Sequence, residues 1–524
     1  MYECPNCNGN LKFEIASQQL FCAHCESRFD PYSIRKESDT VDEDSFEVNV
    51  FRCPQCGGEM ISGDTDATSF CSYCGSANIL TGRISREQRP RFIIPFQKTK
   101  EDCKNAYAQK LRKAFFVPKE LRDPRVIESF RGIYMPYWSY RVLQKGEVSL
   151  MGETSKRRGD YVYTDHYALE AEIDAEYEGY SCDASSSFYD NISEALAPYD
   201  IKGRKEFTPT FLSGFYADTA DVDPELYRED AEGLANSVTY GKIAQVKAFK
   251  KHGIQKPKKE QMSRRLSTRC DSVARVMFPV WFLSYRNGDR IAYAAVNGQT
   301  GKVVADLPVD RKKFFASSLL LAVPIFILLN LLLTLRPTVL LAISALLAVI
   351  AAFVYDRELA AIFRREINGE DRALHKSSAA AKKKKSRSSW NLVTSITVIF
   401  FVTFGAVMLN AVMNERARLS VLWIAAAVAM GWICVSGIGK YKRMRKDRLE
   451  KVKGGQGFLI STAAVFLGGM IWLWNPVSDL WYYGAALLIL LTVVFILGDL
   501  IGNYNRLAMR RLPQFDKKGG DDNA

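Results

Sequence analysis

The chain has 524 residues, with 71 Lys+Arg against 58 Asp+Glu and a net charge of +13. Residues 1–310 hold 42 basic and 45 acidic side chains, whereas residues 311–524 hold 29 and 13. Long apolar runs from Phe314 onward exclude a wholly soluble protein. The basic balance lies in that half, so the positive total is not a nucleic-acid signature. The length suits roughly three domains of about 100–200 residues each.

Eight of the twelve cysteines form four CxxC pairs: Cys4/Cys7, Cys22/Cys25, Cys53/Cys56 and Cys71/Cys74. Fourteen residues separate the two pairs of each set, and the sets repeat at an offset of 49. The opening MYECPNC has no basic, apolar leader, so the soluble half is expected in the reducing cytosol, where paired thiols serve as metal ligands. A CxxC turn presents two thiolates on one side, and two such turns close a tetrahedron around zinc. A redox CxxC, an iron site of rubredoxin type and disulfides are the alternatives; a redox motif needs one pair, not two complete sets. The expectation is two structural zinc ions held by Cys4, Cys7, Cys22, Cys25, Cys53, Cys56, Cys71 and Cys74. Four thiolates leave no open position for catalysis. Gly9, Gly57, Gly58 and Gly75 follow the turns where positive φ is favoured, and His24 reads as a surface residue.

The domains expected are a first ribbon over 1–33, an acidic linker over 34–50 and a second ribbon over 51–85. Residues 1–80 carry five basic and thirteen acidic side chains, which disfavours phosphate backbones and favours protein docking. A mixed α+β cytosolic domain is expected over 90–310. Arg91–Phe96 reads as a strand; Thr99 with Asp102 reads as a capping box opening a helix that carries Cys103, Tyr107, Leu111 and Phe115. Met135-Pro136-Tyr137-Trp138 is echoed by Phe278-Pro279-Val280-Trp281. Asn287-Gly288 and Asn297–Gly301 mark turns of an antiparallel meander, a possible half of a duplicated module. A longer helix is expected over about 224–249. No GxxxxGK[ST], HExxH or GxSxG is present. Asp218, Asp221 and Asp223 read as a solvated turn, Cys182 and Cys270 as incidental, and no catalytic residue is assigned.

Six apolar runs, 314–335, 338–355, 391–413, 419–439, 458–475 and 480–502, each approach the ~20 residues that cross about 30 Å of hydrocarbon. The expectation is an all-α six-helix transmembrane bundle over 314–502 with a cytosolic tail over 503–524. Ten Lys/Arg in 356–390, including Lys382 to Lys385, and eight in 440–457 alternate with nearly uncharged loops. This places both termini in the cytoplasm. Trp390, Trp472, Trp474 and Trp481 suit an aromatic belt. Asp499 is the one charge within these runs, Asn330 and Asn410 are polar, and Ala427 with Gly431 suits close helix packing.

The segments CPNC, RFIIPF, FFVPKEL, GIYMPYW, FPVWFLSY and VNGQTGKVVADLP together resemble a bacterial family of zinc-ribbon membrane proteins. Its members are often labelled primosomal or replication-restart helicase-like, or TFIIB-type zinc-ribbon proteins. The resemblance covers residues 1–310, and the apolar runs match only in kind. The helicase label conflicts with the missing phosphate-binding loop. The resemblance implies recruitment of flotillin-type or phage-shock-type membrane-stress scaffolds. Residues and resemblance together lead to the expectation of a non-enzymatic multi-pass adaptor that docks protein partners and contacts membrane lipid. No nucleic acid and no small-molecule substrate are expected; a transporter with a regulatory ribbon domain and a membrane-tethered nucleic-acid binder are the alternatives.

Overall fold

The structure, a computed structural model, describes residues 2–35, 45–62, 71–76, 81–252, 266–288, 290–332, 336–367, 415–446 and 456–513. The first ribbon is a three-stranded antiparallel sheet of β1 (Leu11–Glu14), β2 (Gln19–Cys22) and β3 (Arg28–Phe29). The second contains β4 (Ser45–Arg52), β5 (Glu59–Ser62) and β6 (Thr81–Gln88), followed by β7 (Phe92–Ile93), α1 (Lys100–Lys113) and α2 (Pro124–Glu128). Then come β8 (Arg131–Arg158), β9 (Tyr161–Asp183), α3 (Asp190–Leu196), β10 (Lys205–Glu206), β11 (Tyr216–Ala217), α4 (Arg228–Gln245) and α5 (Lys247–Lys250). The domain closes with β12 (Leu266–Asn287), β13 (Arg290–Asn297) and β14 (Val303–Ala305).

Two long strands organise this domain. β12 runs antiparallel to β8 from the Leu266↔Gly146 pair to the Phe282↔Arg131 pair. The echoed Pro-Trp segments lie side by side in this ladder, with Met135 opposite Phe278 and Tyr134 opposite Pro279. Each Trp indole N–H anchors a passing chain: Trp138 donates to the Val222 carbonyl at 2.9 Å and Trp281 to that of Lys98 at 2.8 Å. Donation from a buried indole satisfies a group that would otherwise cost free energy.

The second ribbon is continuous with this sheet. β5 pairs with β11, which pairs with β8, so β4, β5 and β6 are outer strands of one twelve-stranded sheet. The first ribbon packs into the same core, with Leu11, Phe13 and Leu20 buried alongside Phe96 and Phe211. The sequence-drawn boundaries at 33 and 85 thus fall between parts that share a sheet or a core.

Several local expectations are met. Thr99 and Asp102 form the capping box of α1, whose buried side chains are Cys103, Tyr107 and Leu111. The turn at Gly288 joins β12 to β13, with φ of 63°. Others shift. Only Phe92–Ile93 of 91–96 is strand. Phe115 lies past the end of α1 and is exposed. The helix over 224–249 is α4 and α5, broken at Val246. Asp218 is buried, while Asp223 caps the turn at Pro224 by accepting from Glu225 N–H at 2.9 Å.

The apolar half contains α6 (Arg311–Leu332), α7 (Pro337–Ile367), α8 (Glu415–Lys446), α9 (Gln456–Trp474) and α10 (Leu480–Ala508), followed by β15 (Arg510–Arg511). The six-helix expectation is not supported: among the described residues, three helices, Pro337–Ile362, Leu422–Lys442 and Leu480–Ala508, are long and apolar enough to cross a membrane. Within α9 the apolar stretch Leu459–Trp474 is shorter. The run 314–335 falls on α6, which begins Arg311-Lys312-Lys313. The run 391–413, with Asn410, Trp390 and Lys382 to Lys385, lies outside the described residues. Helices α7 to α10 share one apolar core around Ala345, Ala352, Trp423, Met430, Val465 and Ile489. Gly431 has open space where a Cβ would stand; the close approach is instead at Gly468, where a Cβ would lie 2.9 Å from Ile489.

Beyond the Leu266↔Gly146 pair, β8 and β9 continue as a hairpin to the Arg158↔Tyr161 pair. Its far end carries exposed Tyr161, Val162 and Tyr163. Val148, Leu150 and Ile173 at its base pack against Ile243 of α4, but among the described residues nothing outside the hairpin packs on 153–166. Replacing Glu153–His166 with Asn-Gly should therefore leave the thermal unfolding midpoint of the remaining chain and its bound metal unchanged within measurement error, read by calorimetry and metal analysis.

Candidate metal centres

Each cysteine turn is built alike. The N–H of the fifth residue closes a turn back onto the first cysteine's carbonyl: Asn8 to Cys4 at 2.8 Å, Glu26 to Cys22 at 2.9 Å, Gly57 to Cys53 at 2.8 Å and Gly75 to Cys71 at 3.0 Å. All four closing residues have positive φ, between 57° and 72°. Gly57 and Gly75 suit that conformation at no steric cost, whereas Asn8 and Glu26 adopt it with a side chain. Gly9 plays a different part from the one read in the sequence: a Cβ there would sit 3.2 Å from Cys22 Sγ and 3.3 Å from Cys7 Sγ. His24 is exposed, as expected.

The turns bring the thiols together in two fours. In the first, Cys4 lies 3.5 Å from Cys25 and Cys7 3.4 Å from Cys22; in the second, Cys53 lies 3.7 Å from Cys74 and Cys56 3.8 Å from Cys71. Each set converges within 4.8 Å. A tetrahedral ion with metal–sulfur bonds of about 2.3 Å needs sulfur–sulfur edges of about 3.8 Å. The separations are far from the ~2.05 Å of a disulfide. All eight sequence-assigned cysteines are therefore placed where two ions could be held, and the donor set fits a soft or borderline divalent metal. Hydrogen bonding with Ser27 holds the Cys25 thiol down at about 6, and contact with Cys71 holds Cys53 down at about 6. The thiols that share these hydrogen bonds move the other way, with Cys7 pushed up to about 12 and Cys56 and Cys71 also raised, so each set draws some thiols toward thiolate at the expense of others.

The two centres differ in setting. In the first, Cys7 and Cys25 are partly exposed; in the second, all four cysteines are buried. The second lies inside the core formed by Phe51, Tyr73, Phe282, Ile291 and Tyr293. Tyr73, between two ligands, is fully buried, and its carbonyl accepts from the Tyr293 hydroxyl at 2.7 Å. Next to this core sits Asp218, which accepts hydrogen bonds from the Ser185 hydroxyl and, at 2.9 Å, from Thr219 N–H. Burial raises its carboxyl from 3.8 to about 7.

Two features escaped the sequence reading. Asp356 of α7 meets Lys440 of α8 at 2.6 Å, a partly exposed ion pair between the two helices. The span had been ended at residue 355, one position short; the continued apolar spacing through Leu359 and Ile362 was the available signal. The strand β9 was also missed, although Glu172, Asp174, Glu176 and Glu178 alternate with Ile173, Ala175 and Tyr177 at the period of a strand.

Fold and sites together define a protein with two tetracysteine centres built into a mixed α/β domain and followed by apolar helices. No protein-family model matches the sequence, and no solved structure matches it. The chain is 27% identical over 328 residues to "Uncharacterized protein YdjG" of Bacillus subtilis (strain 168), an alignment covering 60% of this chain and 92% of that protein.

Metal analysis of the purified chain should find two ions. A chromophoric chelator should remove one rapidly, from the partly exposed first centre, and the other only on unfolding; Cys4→Ser with Cys7→Ser should abolish the fast phase alone. Asp218 supplies a pH signature. Its folded value lies above its unfolded value, so the folded state binds the extra proton between about pH 4 and pH 7, and stability falls as pH rises through that window. Asp218→Asn should flatten this part of the profile, read as the unfolding midpoint against pH.

Proposed function

We propose that the protein is a non-enzymatic membrane adaptor whose zinc ribbons and α/β domain dock protein partners at the bilayer. The observation that carries this reading is the direct attachment of the sheet domain to the apolar helices at both ends of the helical region. At the entry, Asp310 N–H donates to the Phe116 carbonyl at 2.7 Å and Lys313 Nζ to that of Val117 at 2.7 Å. At the exit, Asn505 near the end of α10 exchanges hydrogen bonds with Val309, at 2.6 and 2.8 Å. A domain so held presents its surface at a set position above the membrane.

The same attachment supports an even number of crossings, since α6 begins and α10 ends on one side. Six crossings with cytoplasmic termini, as the loop charges suggest, is the count we adopt. Zinc is the proposed metal because four thiolates in closed tetrahedra suit it. The acidic first 80 residues and the family resemblance favour a protein partner, of flotillin or phage-shock type, over nucleic acid.

One observation favours a second reading, a multi-pass transporter with a regulatory ribbon domain. The Asp356–Lys440 pair joins α7 to α8 where both run into the basic loops, and ionisable groups on membrane-spanning helices commonly serve transport.

Cross-linking in native membranes followed by affinity purification and mass spectrometry separates the two. The adaptor reading expects a stoichiometric protein partner with the intact chain and its loss with Cys4→Ser, Cys7→Ser. Absence of any partner, together with solute flux in reconstituted vesicles that Lys440→Gln abolishes, would replace it with the transporter.

A further inference from the structure

We propose that the second metal centre is a latch for the last apolar helix: metal bound there holds the end of α10 on the sheet domain, and its loss releases that end. This inference concerns contacts within the chain and does not depend on the adaptor reading.

The contacts run without a break from the cysteines to the helix. The Tyr293 hydroxyl of β13 donates to the carbonyl of Tyr73, which stands between Cys71 and Cys74. Arg286, just before the β12–β13 turn, donates to Gln55 Oε1 at 3.4 Å, and its Cβ lies 3.5 Å from where a Cβ on Gly75 would stand. Both cysteine turns of the second centre thus grip the β12–β13 hairpin. On its other edge β13 pairs with β15, with Arg290 opposite Arg511 and Ile291 opposite Arg510. Arg290 Nε donates to the Met509 carbonyl at 3.0 Å, covering the end of α10. A guanidinium at a helix C-terminus satisfies open carbonyls and opposes the negative end of the dipole.

Arg510 completes the clasp. It donates to Asn191 at 2.6 Å, lies 3.6 Å from Asp306 and stacks 3.9 Å above the Tyr189 ring. Leu512 packs against the core that contains Cys53, Cys56, Cys71 and Cys74. Loss of an ion would take away the shared partner of these four buried thiols, and any loosening of that core reaches Ile291, Tyr293 and Leu512, which pack in it. The first centre lies in the other core, with Leu11 and Phe13, which takes Ala294 and Val296 of β13, whereas Ile291, Tyr293 and Leu512 belong to the core of the second centre.

The test uses the full chain in nanodiscs, with amide exchange over residues 506–512 and tryptic cleavage after Arg510 and Arg511 read by mass spectrometry. Cys56→Ser should raise both by about tenfold or more, as a locally opened segment does, while Cys7→Ser leaves them unchanged. Tyr293→Phe removes one hydrogen bond with all cysteines intact; two ions should remain bound while exchange rises about fivefold. Protection of 506–512 that persists in Cys56→Ser, or equal loosening in Cys7→Ser, would overturn the proposal. If Cys56→Ser does not fold, unchanged exchange in metal-replete Tyr293→Phe overturns it alone.

Discussion

The antiparallel ladder between β8 and β12 is the constraint on which the rest of the domain depends. Its sixteen-residue overlap, from Arg131 to Gly146 on one strand, gives every other element a place to attach. On one side of it β13 brings the C-terminal β15; on the other β11 brings the strands of the second ribbon. Because two long strands share so many hydrogen bonds, a one-residue slip would turn every inward side chain outward. The paired Pro-Trp segments lie in this ladder, and each indole ties a third chain segment to it.

A consequence is that metal binding, sheet formation and helix attachment are parts of one structure rather than three. Small cysteine ribbons elsewhere are treated as independent beads because each bears its own fold energy in its metal. Here the second ribbon contributes outer strands to the large sheet, and the first lends aromatic side chains to its core: Phe13 lies 5.2 Å from Phe211. Protein regions connected in this way unfold together, and an ion held by either set would stabilise more than the loop it closes.

Much of this was legible in the sequence. The eight cysteines were assigned from spacing alone, because thiolate chemistry at that spacing has few outcomes. Thr99 and Asp102 announced α1 through a local bond pattern. The long β8–β9 hairpin was not read, since its strands exceed ordinary length and its acidic alternation resembles a solvated loop. Asp218 looked solvated because its neighbours Asp221 and Asp223 are polar turn residues, and its burial is imposed by chain segments distant in sequence. The six-span reading rested on hydropathy, which finds apolar runs but not where a helix ends; α7 continues through Asp356 to Ile367. Ala427 and Gly431 matched a packing motif, yet which helix face meets a neighbour is set by the bundle.

The lone hairpin has a bearing on how copies of the chain behave when crowded in a membrane. Among the described residues β9 pairs with β8 alone, so its outer edge offers a row of open peptide groups. Such an edge is a template for adding a strand, and two copies side by side could zip into a shared sheet. Glu170, Glu172 and Asp174 stand exposed at successive alternate positions along it, and Glu147 faces Glu172 across the ladder. Two such edges brought together would set like charges against each other at close range. Like charges along that edge therefore oppose pairing between copies of the chain.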